Sequence, residues 1–222
     1  MIALFTGLIA GIIHVWSGPD HLTAIAPIAA RTQKKSWVTG IRWGIGHTVG
    51  VSLIGGLFLL FREILPLDFI SGWSEKLIGI MLIVIGIWGF RKVFQTRIHT
   101  HTHNHDGVDH THYHLHSNTK EHEKPSEHIH FHAALGIGIL HGFAGSSHFI
   151  GILPALAFST LTQSVTYIIA FGIGTILSMG VFSTVIGLLS EKFAFNNEKA
   201  YKWLLSVCSS SALLVGVFWL IF

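Results

Sequence analysis

Charge is what this chain lacks most. Only 11% of its 222 residues are Asp, Glu, Lys or Arg, while 50% are hydrophobic, and mean hydropathy is +0.58. Soluble domains carry roughly 25% charged residues, so this composition cannot clothe an ordinary soluble globular domain. Cysteine is nearly absent as well. Cys208 stands alone, which excludes an internal disulfide, a CxxC redox pair and a thiol-electron carrier built on paired intramembrane cysteines. It lies in a Ser-rich apolar stretch and reads as a small packing residue. No basic n-region precedes the first apolar run, which continues past any plausible cleavage point; it reads as a retained membrane segment rather than a removable signal peptide.

What is present is long apolar runs and histidine. Of 17 histidines, 12 lie in the 38 residues 95–132, and without that stretch the remainder is more apolar still. A spanning helix needs about 20 apolar residues. Six such runs are readable: residues 2–30, broken at Ser17-Gly18-Pro19-Asp20, then 37–61, 73–94, 133–158, 164–189 and 202–222. The fold class expected is an all-α membrane protein interrupted by one polar loop, with domains 1–94, 95–132 and 133–222. Trp37, Trp73 and Trp203 open their runs and Trp88 and Trp219 lie near run ends, where indole rings anchor at headgroups. Trp16 and Trp43 read as buried packing residues.

The net charge of +3 says less than where the basic residues sit. Arg31, Lys34 and Lys35 follow the first run. Arg91, Lys92, Arg97, Lys120 and Lys124 belong to the His-rich loop and its entry, and Lys192, Lys199 and Lys202 follow the fifth run. The alternate loops hold only Arg62 and Lys76, beside Glu63, Asp68 and Glu75. The positive-inside rule then places the His-rich loop in the cytoplasm and both termini outside; the membrane expected, which charge does not identify, is a bacterial inner (plasma) membrane.

An internal repeat recurs at an offset of 127 residues. Gly11, His14, Gly18, His21 and Pro27 align with Gly138, His141, Gly145, His148 and Pro154; after a one-residue shift Gly44-Ile45-Gly46 aligns with Gly172-Ile173-Gly174. Glycines match easily by chance in apolar sequence. Two intramembrane histidines and a proline do not. Three spans per half make the copies enter from opposite sides, giving a 3+3 inverted repeat of six transmembrane helices with a broken first helix in each half. Secondary transporters of this build hold their substrate at the repeat interface.

His14, His21, His47, His141 and His148 all fall within predicted spans, with Asp20 among them. Polar groups at membrane depth are expensive and face a cavity or a partner. A lone intramembrane histidine is often only a helix–helix hydrogen bond; five with an aspartate, four of them repeat-paired, point to a shared site. Pro19 lacks an N–H and disfavours helical geometry at Gly18, and Gly145-Ser146-Ser147 loosens the second copy, so the flanking imidazoles can converge. Imidazole nitrogen suits nickel, cobalt, copper and zinc. Asp20 would add a charge-neutralising oxygen, or orient His21 from behind.

His14…Asp20-His21 resembles the signature helix of the nickel/cobalt transporter (NiCoT) superfamily, in which a histidine precedes an Asp-His pair on an early span. Gly44-Ile45-Gly46-His47 resembles that family's second motif. The mirrored His141…His148, the six-span length and the His-rich central loop are similar to its shorter NicO/UreH-like six-span branch. Five residues separate His14 from Asp20 here where the family's motif has four, and the acidic residues usual around it are missing. The resemblance implies a transporter of divalent transition-metal ions, nickel or cobalt foremost, with His14, Asp20, His21 and His47 as metal contacts. His141 and His148 join them on the repeat argument.

The central loop contains His99, His101, His103 and His105, then His110, His112, His114 and His116, with His130 and His132 at its exit. It is too polar to fold alone and is expected to be disordered. It reads either as a spacer or as an accessory metal buffer whose last histidines pass ions inward. No prosthetic group is expected; the metal is the substrate. The partners expected are the lipid bilayer, the metal ion and a cytoplasmic metallochaperone, with no nucleic acid. Two other readings compete: an intramembrane hydrolase, metal-dependent or using Ser146 or Ser147, and a carrier for zinc or iron. A hydrolytic dyad needs its base on a facing helix, and no histidine follows His148.

Overall fold

The computed structural model describes residues 1–61, 67–105, 108–117, 127–144 and 151–222, with side-chain surroundings for 1–54, 73, 75–95, 132–144, 151–195 and 197–222. The described residues form seven α-helices and one hairpin: α1 (Ile2–Ser17), α2 (Pro19–Thr32), α3 (Ser36–Phe61), α4 (Leu67–Gln95), β1 (Thr96–His105), β2 (Val108–Ser117), α5 (Glu127–Ala144), α6 (Leu161–Asn196) and α7 (Glu198–Ile221). Short 3₁₀ turns occupy Gln33–Lys35 and Leu153–Ala157.

Three helices are long and apolar enough to cross a membrane: Glu75–Gln95, Leu161–Phe195 and Glu198–Ile221. Ile2–Ser17 and Pro19–Ile54 pass the same test together, bent by 72°. Length and apolarity among the described residues therefore give three or four spans where the sequence predicts six. The described apolar part of α5, His132–Ala144, is shorter than a span, and residues 145–150 of the fourth predicted span lie outside the described set. In α6, 36 residues rise about 54 Å, more than a hydrocarbon core of about 30 Å requires. Its C-terminal end, with Glu191 and Lys192, therefore extends beyond the apolar layer. Large apolar side chains such as Phe5, Ile9, Val84, Ile169, Val181 and Leu214 are exposed around the bundle, a surface fit for lipid rather than water. Trp37, Trp73 and Trp203 are exposed as interfacial anchors should be. Trp43 is buried, but Trp16 is about half exposed, because its side of α1 faces away from the core.

Glycines set the helix packing. Gly7 and Gly11 of α1 lie against the carbonyls of Tyr167 and Phe171 of α6. Gly46 and Gly50 of α3 lie against those of Leu135 and Ile139 of α5, and Gly138 and Gly142 of α5 against those of Trp43 and His47. A methyl group at any of these would strike backbone, so the close approach needs glycine. The residue numbers of the facing positions rise together in both pairs, so α1 runs parallel to α6 and α3 parallel to α5. Gly40 and Gly44 meet Met179 and Ile176, while Gly172 meets Thr48; here the numbers run in opposition, so α3 and α6 are antiparallel. Gly79, Gly86 and Gly89 of α4 descend against Gly216, Leu213 and Ser209 of α7, a second antiparallel pair. It follows that α1 and α5, which carry the two copies of the repeated motif, point in opposite directions.

The contacts themselves repeat. Gly11 on Phe171 is matched by Gly138 on Trp43, Gly174 on Leu8 by Gly46 on Leu135, and Gly44 on Ile176 by Gly172 on Thr48, each at the 127- or 128-residue offset.

One end of the bundle gathers basic residues. Lys34 pairs with Glu191 at 3.1 Å, the Ser190 hydroxyl donates to the Ala30 carbonyl, and Lys92 lies within the electrostatic reach of Arg31 and Arg91. The ends of α2, α4 and α6 thus share a face, as the distribution of Lys and Arg predicts.

The central loop departs from the disorder that its composition predicts. Thr96–His105 and Val108–Ser117 pair as antiparallel strands, with His99 opposite His114, His101 opposite His112 and His103 opposite His110. Alternation of His with Thr is a period-two pattern, and it supplies regular pairing where apolar content supplies no core.

Candidate metal centre

The break at residue 18 builds the site. Gly18 takes an extended conformation, φ −94° and ψ 99°, between the last turn of α1 and Pro19, the first residue of α2. Proline is at home there, because the N–H it lacks would have no helical partner. The His21 N–H donates to the Gly18 carbonyl at 3.1 Å and closes the new turn. A Cβ at Gly18 would collide with His21 Nδ1 and stand 2.9 Å from Asp20 Oδ1. Glycine is therefore required for the Asp20–His21 pair to fold back over the break.

Five of the six sequence-predicted site residues converge. His14 comes from α1, Asp20 and His21 from α2, His47 from α3 and His141 from α5. The Nε2 atoms of His14 and His21 are 3.0 Å apart, and those of His14 and His47 are 3.4 Å apart. His21 Nδ1 is 3.0 Å from Asp20 Oδ1, and His141 Nε2 is 3.2 Å from Asp20 Oδ2. Asp20, His21, His47 and His141 are buried, and His14 is half-buried. The sixth residue, His148, lies outside the described residues, as do Ser146 and Ser147. Of the loop histidines, His132 is exposed. The strand histidines His99, His101, His103, His105, His110, His112, His114 and His116, and His130 on α5, have no described side-chain surroundings.

Chemistry follows from which ring nitrogen faces what. The Nδ1–H of His21 donates to the carboxylate of Asp20, which fixes the tautomer and turns a lone pair on Nε2 toward His14. A carboxylate behind a histidine in this way orients the ring and raises its basicity as a ligand. Two groups of ligand atoms lie within 4.8 Å of one another: His14, His21 and His47, and Asp20, His21 and His141. Metal–nitrogen bonds of about 2.0–2.1 Å put neighbouring nitrogens ~3.3 Å apart in a tetrahedral shell, and the 3.0 and 3.4 Å separations bracket that value. Asp20 carries the charge a dication needs on leaving water, and its two oxygens each face an imidazole, which offsets the cost of burying it.

Trp43 is the residue that sequence reading assigned to packing alone. Its ring stacks on His47 at 5.0 Å and 9° and lies 5.1 Å from His141 and 5.7 Å from His21. The repeat contained the signal: the matching position is Phe171, whose ring is 5.2 Å from that of His14. A cavity of about 480 Å³ reaches His14, Asp20 and His21, lined also by Ser17, Gly151 and Tyr167. The Tyr167 hydroxyl donates to the Gly151 carbonyl at 2.8 Å and holds that wall.

These helices and this buried cluster define an integral membrane protein with a polar centre between its halves. Residues 2–218 match the family described as cytochrome c biogenesis protein transmembrane region, and the chain belongs to that family. It is also similar to the urease accessory protein UreH of Bacillus sp. (strain TB-90), 32% identical over 190 residues, covering 83% of this chain and 76% of that one. Two proteins of Arabidopsis thaliana match as well. Chloroplast protein FOR GROWTH AND FERTILITY 2 is 33% identical and FOR GROWTH AND FERTILITY 1 is 29% identical, each over 188 residues and 84% of this chain. The chain spans about half the length of these plant relatives, 47% and 50%. No solved structure matches. With one cysteine, this chain has no dithiol with which to relay electrons.

Proposed function

We propose that this chain carries divalent transition-metal ions across a membrane, nickel or cobalt foremost, through a site made by His14, Asp20, His21, His47, His141 and His148. The observation that carries the reading is the convergence of three imidazole Nε2 atoms, His14 lying 3.0 Å from His21 and 3.4 Å from His47, beside a cavity that His14 and His21 line in an apolar bundle. Structural histidines hydrogen-bond to backbone or hydroxyl groups; here the rings face one another, with a carboxylate behind them. The relative named a urease accessory protein and the resemblance to nickel/cobalt transporters favour nickel or cobalt over zinc and iron.

The architecture in this reading is six spans in two inverted halves. Opposed directions of α1 and α5 and the repeat-matched glycine contacts support it. The ion would be stripped of water between the halves and released as they rock. The protein would reside in a bacterial inner membrane with the His-rich loop in the cytoplasm. There the loop would buffer metal for, or receive it from, a metallochaperone.

Metal accumulation in cells tests this, with nickel, cobalt, zinc and iron supplied in turn. Wild type is expected to shift cellular nickel or cobalt; His21→Ala is expected to abolish the shift, and deletion of residues 95–132 only to tune it. Undiminished flux in His21→Ala at wild-type protein levels removes the assigned site.

A further inference from the structure

The ligand atoms form two overlapping groups rather than one shell. His14, His21 and His47 make the first; Asp20, His21 and His141 make the second. His21 belongs to both, presenting Nε2 to His14 and Nδ1 to Asp20. His14 and His141, the residues peculiar to each group on α1 and α5, are repeat partners.

Their surroundings differ. His14 is half-buried and lines the cavity with Ser17 and Tyr167. His141 has 0% exposure and lies against Trp43. The cavity's wall includes Tyr167, near the start of α6, and Trp219, near the end of α7. That end of the bundle is opposite the basic face, where the Lys34–Glu191 pair and the Ser190–Ala30 contact draw α2 and α6 together. In an inverted repeat, exchanging the conformations of the halves moves the opening to the other face and gives each residue the environment its partner had. Applied here, that exchange buries His14 and exposes His141 toward the basic end.

Resting on the carrier reading above, we propose that the ion occupies two positions in succession. The first is His14–His21–His47 on the cavity side. The second is Asp20–His21–His141, opened to the basic face when the halves exchange conformations. His21 is the pivot common to both, and His141 is the release counterpart of His14. Coordination at the second position takes up Nδ1 of His21 and frees Nε2, so the ring carries its one proton on Nδ1 at the first position and on Nε2 at the second and is neutral at both.

Two measurements with Co²⁺ as the probe test the succession. In purified protein, His14→Ala is expected to lose equilibrium Co²⁺ binding. His141→Ala is expected to bind Co²⁺ as tightly as wild type and yet carry none in proteoliposomes. Equal weakening of binding by both substitutions overturns the two positions in favour of one shell. The second measurement uses side-selective labelling in a Cys208→Ser background with a membrane-impermeant maleimide. Ser17→Cys is expected to label from the cavity face, and its repeat partner Ala144→Cys from the basic face during Co²⁺ flux. Ala10→Cys and Ile137→Cys form a second repeat pair should either of the first not fold. Labelling of both members from one face only, in protein that carries Co²⁺, overturns the exchange. Absence of Co²⁺ flux in wild-type proteoliposomes removes the carrier reading itself.

Discussion

The two halves of this chain agree in how their helices touch and disagree in what they bring to the centre. Gly11, Gly44 and Gly46 make contacts whose partners, Gly138, Gly172 and Gly174, make the same contacts in exchange. The donors are shared only in part: His14 has a partner in His141 and His21 one in His148, but the others have none. At the 128-residue offset His47 corresponds to Thr175, a buried residue whose hydroxyl donates to the Phe171 carbonyl at 3.0 Å, and Trp43 corresponds to Phe171. At the 127-residue offset Asp20 corresponds to Ser147. The first half therefore supplies His14, Asp20, His21 and His47, and the second supplies His141 among the described residues. Backbone approach is restrained by a facing carbonyl at Gly11, Gly46, Gly138 and Gly174. A donor is restrained only by what it binds, so one of two copies suffices and the other is free to become Thr, Ser or Phe.

The sharpest way to break that contrast is to alter a donor and its repeat partner in parallel. Asp20→Asn keeps the shape but loses the charge that orients His21 and faces His141. It is expected to lower metal affinity by about 10–100-fold, the range for removing a carboxylate behind a histidine ligand. Ser147→Ala, the matched change in the other half, is expected to leave affinity near wild type. Titration of both purified variants with Co²⁺ decides it; equal losses would make the halves chemically equivalent and void the asymmetry.

Much of this arrangement was legible in the sequence because its markers are rare in apolar helices. Pro19 announced the break, and the structure places it at Gly18 between α1 and α2. His14, Asp20, His21, His47 and His141 stood out because polar side chains at membrane depth are costly, and all five meet. Trp43 did not stand out, because an aromatic ring in an apolar run looks the same whether it packs on lipid, on leucine or on imidazole. Gly18 read as a helix breaker; that its missing side chain makes room for His21 depends on a turn visible only in three dimensions. The hairpin at Thr96–His105 and Val108–Ser117 was hidden by composition, since polarity argued for disorder while the His–Thr alternation argued for strand.

A smaller effect should sharpen the shared part of the comparison. Gly11→Ala and Gly138→Ala each drive a methyl group into a facing carbonyl, of Phe171 and Trp43 respectively. Each is expected to destabilise the protein by about 1–3 kcal/mol, as overpacking does, and by similar amounts. Gly136→Ala meets nothing within 4 Å and is expected to be silent. Thermal unfolding in detergent, followed by intrinsic fluorescence, checks all three. Unequal losses at the matched pair would mean that the halves are packed to different tolerances.

The smallest effect is expected at the basic end, where the comparison fails by sequence. Lys34 and Glu191 pair at 3.1 Å, whereas the positions corresponding to them, at offsets of 127 and 128, are Leu161 and Glu63; the ion pair has no counterpart in register. The Lys34 side chain is 80% exposed and that of Glu191 21%, so water and salt screen the attraction. Lys34→Ala is expected to cost no more than about 1 kcal/mol of stability, a loss that shrinks further in high salt. Its value as a probe lies in transport rather than in stability. A contact found on one face only biases which face is closed, and a bias of even a few tenths of a kcal/mol alters the ratio of the two states without touching the metal site. Lys34→Ala should therefore leave Co²⁺ affinity at the first position intact. It should also raise maleimide labelling of Ala144→Cys from the basic face, and a decrease in that labelling would reverse the assignment of the closed end.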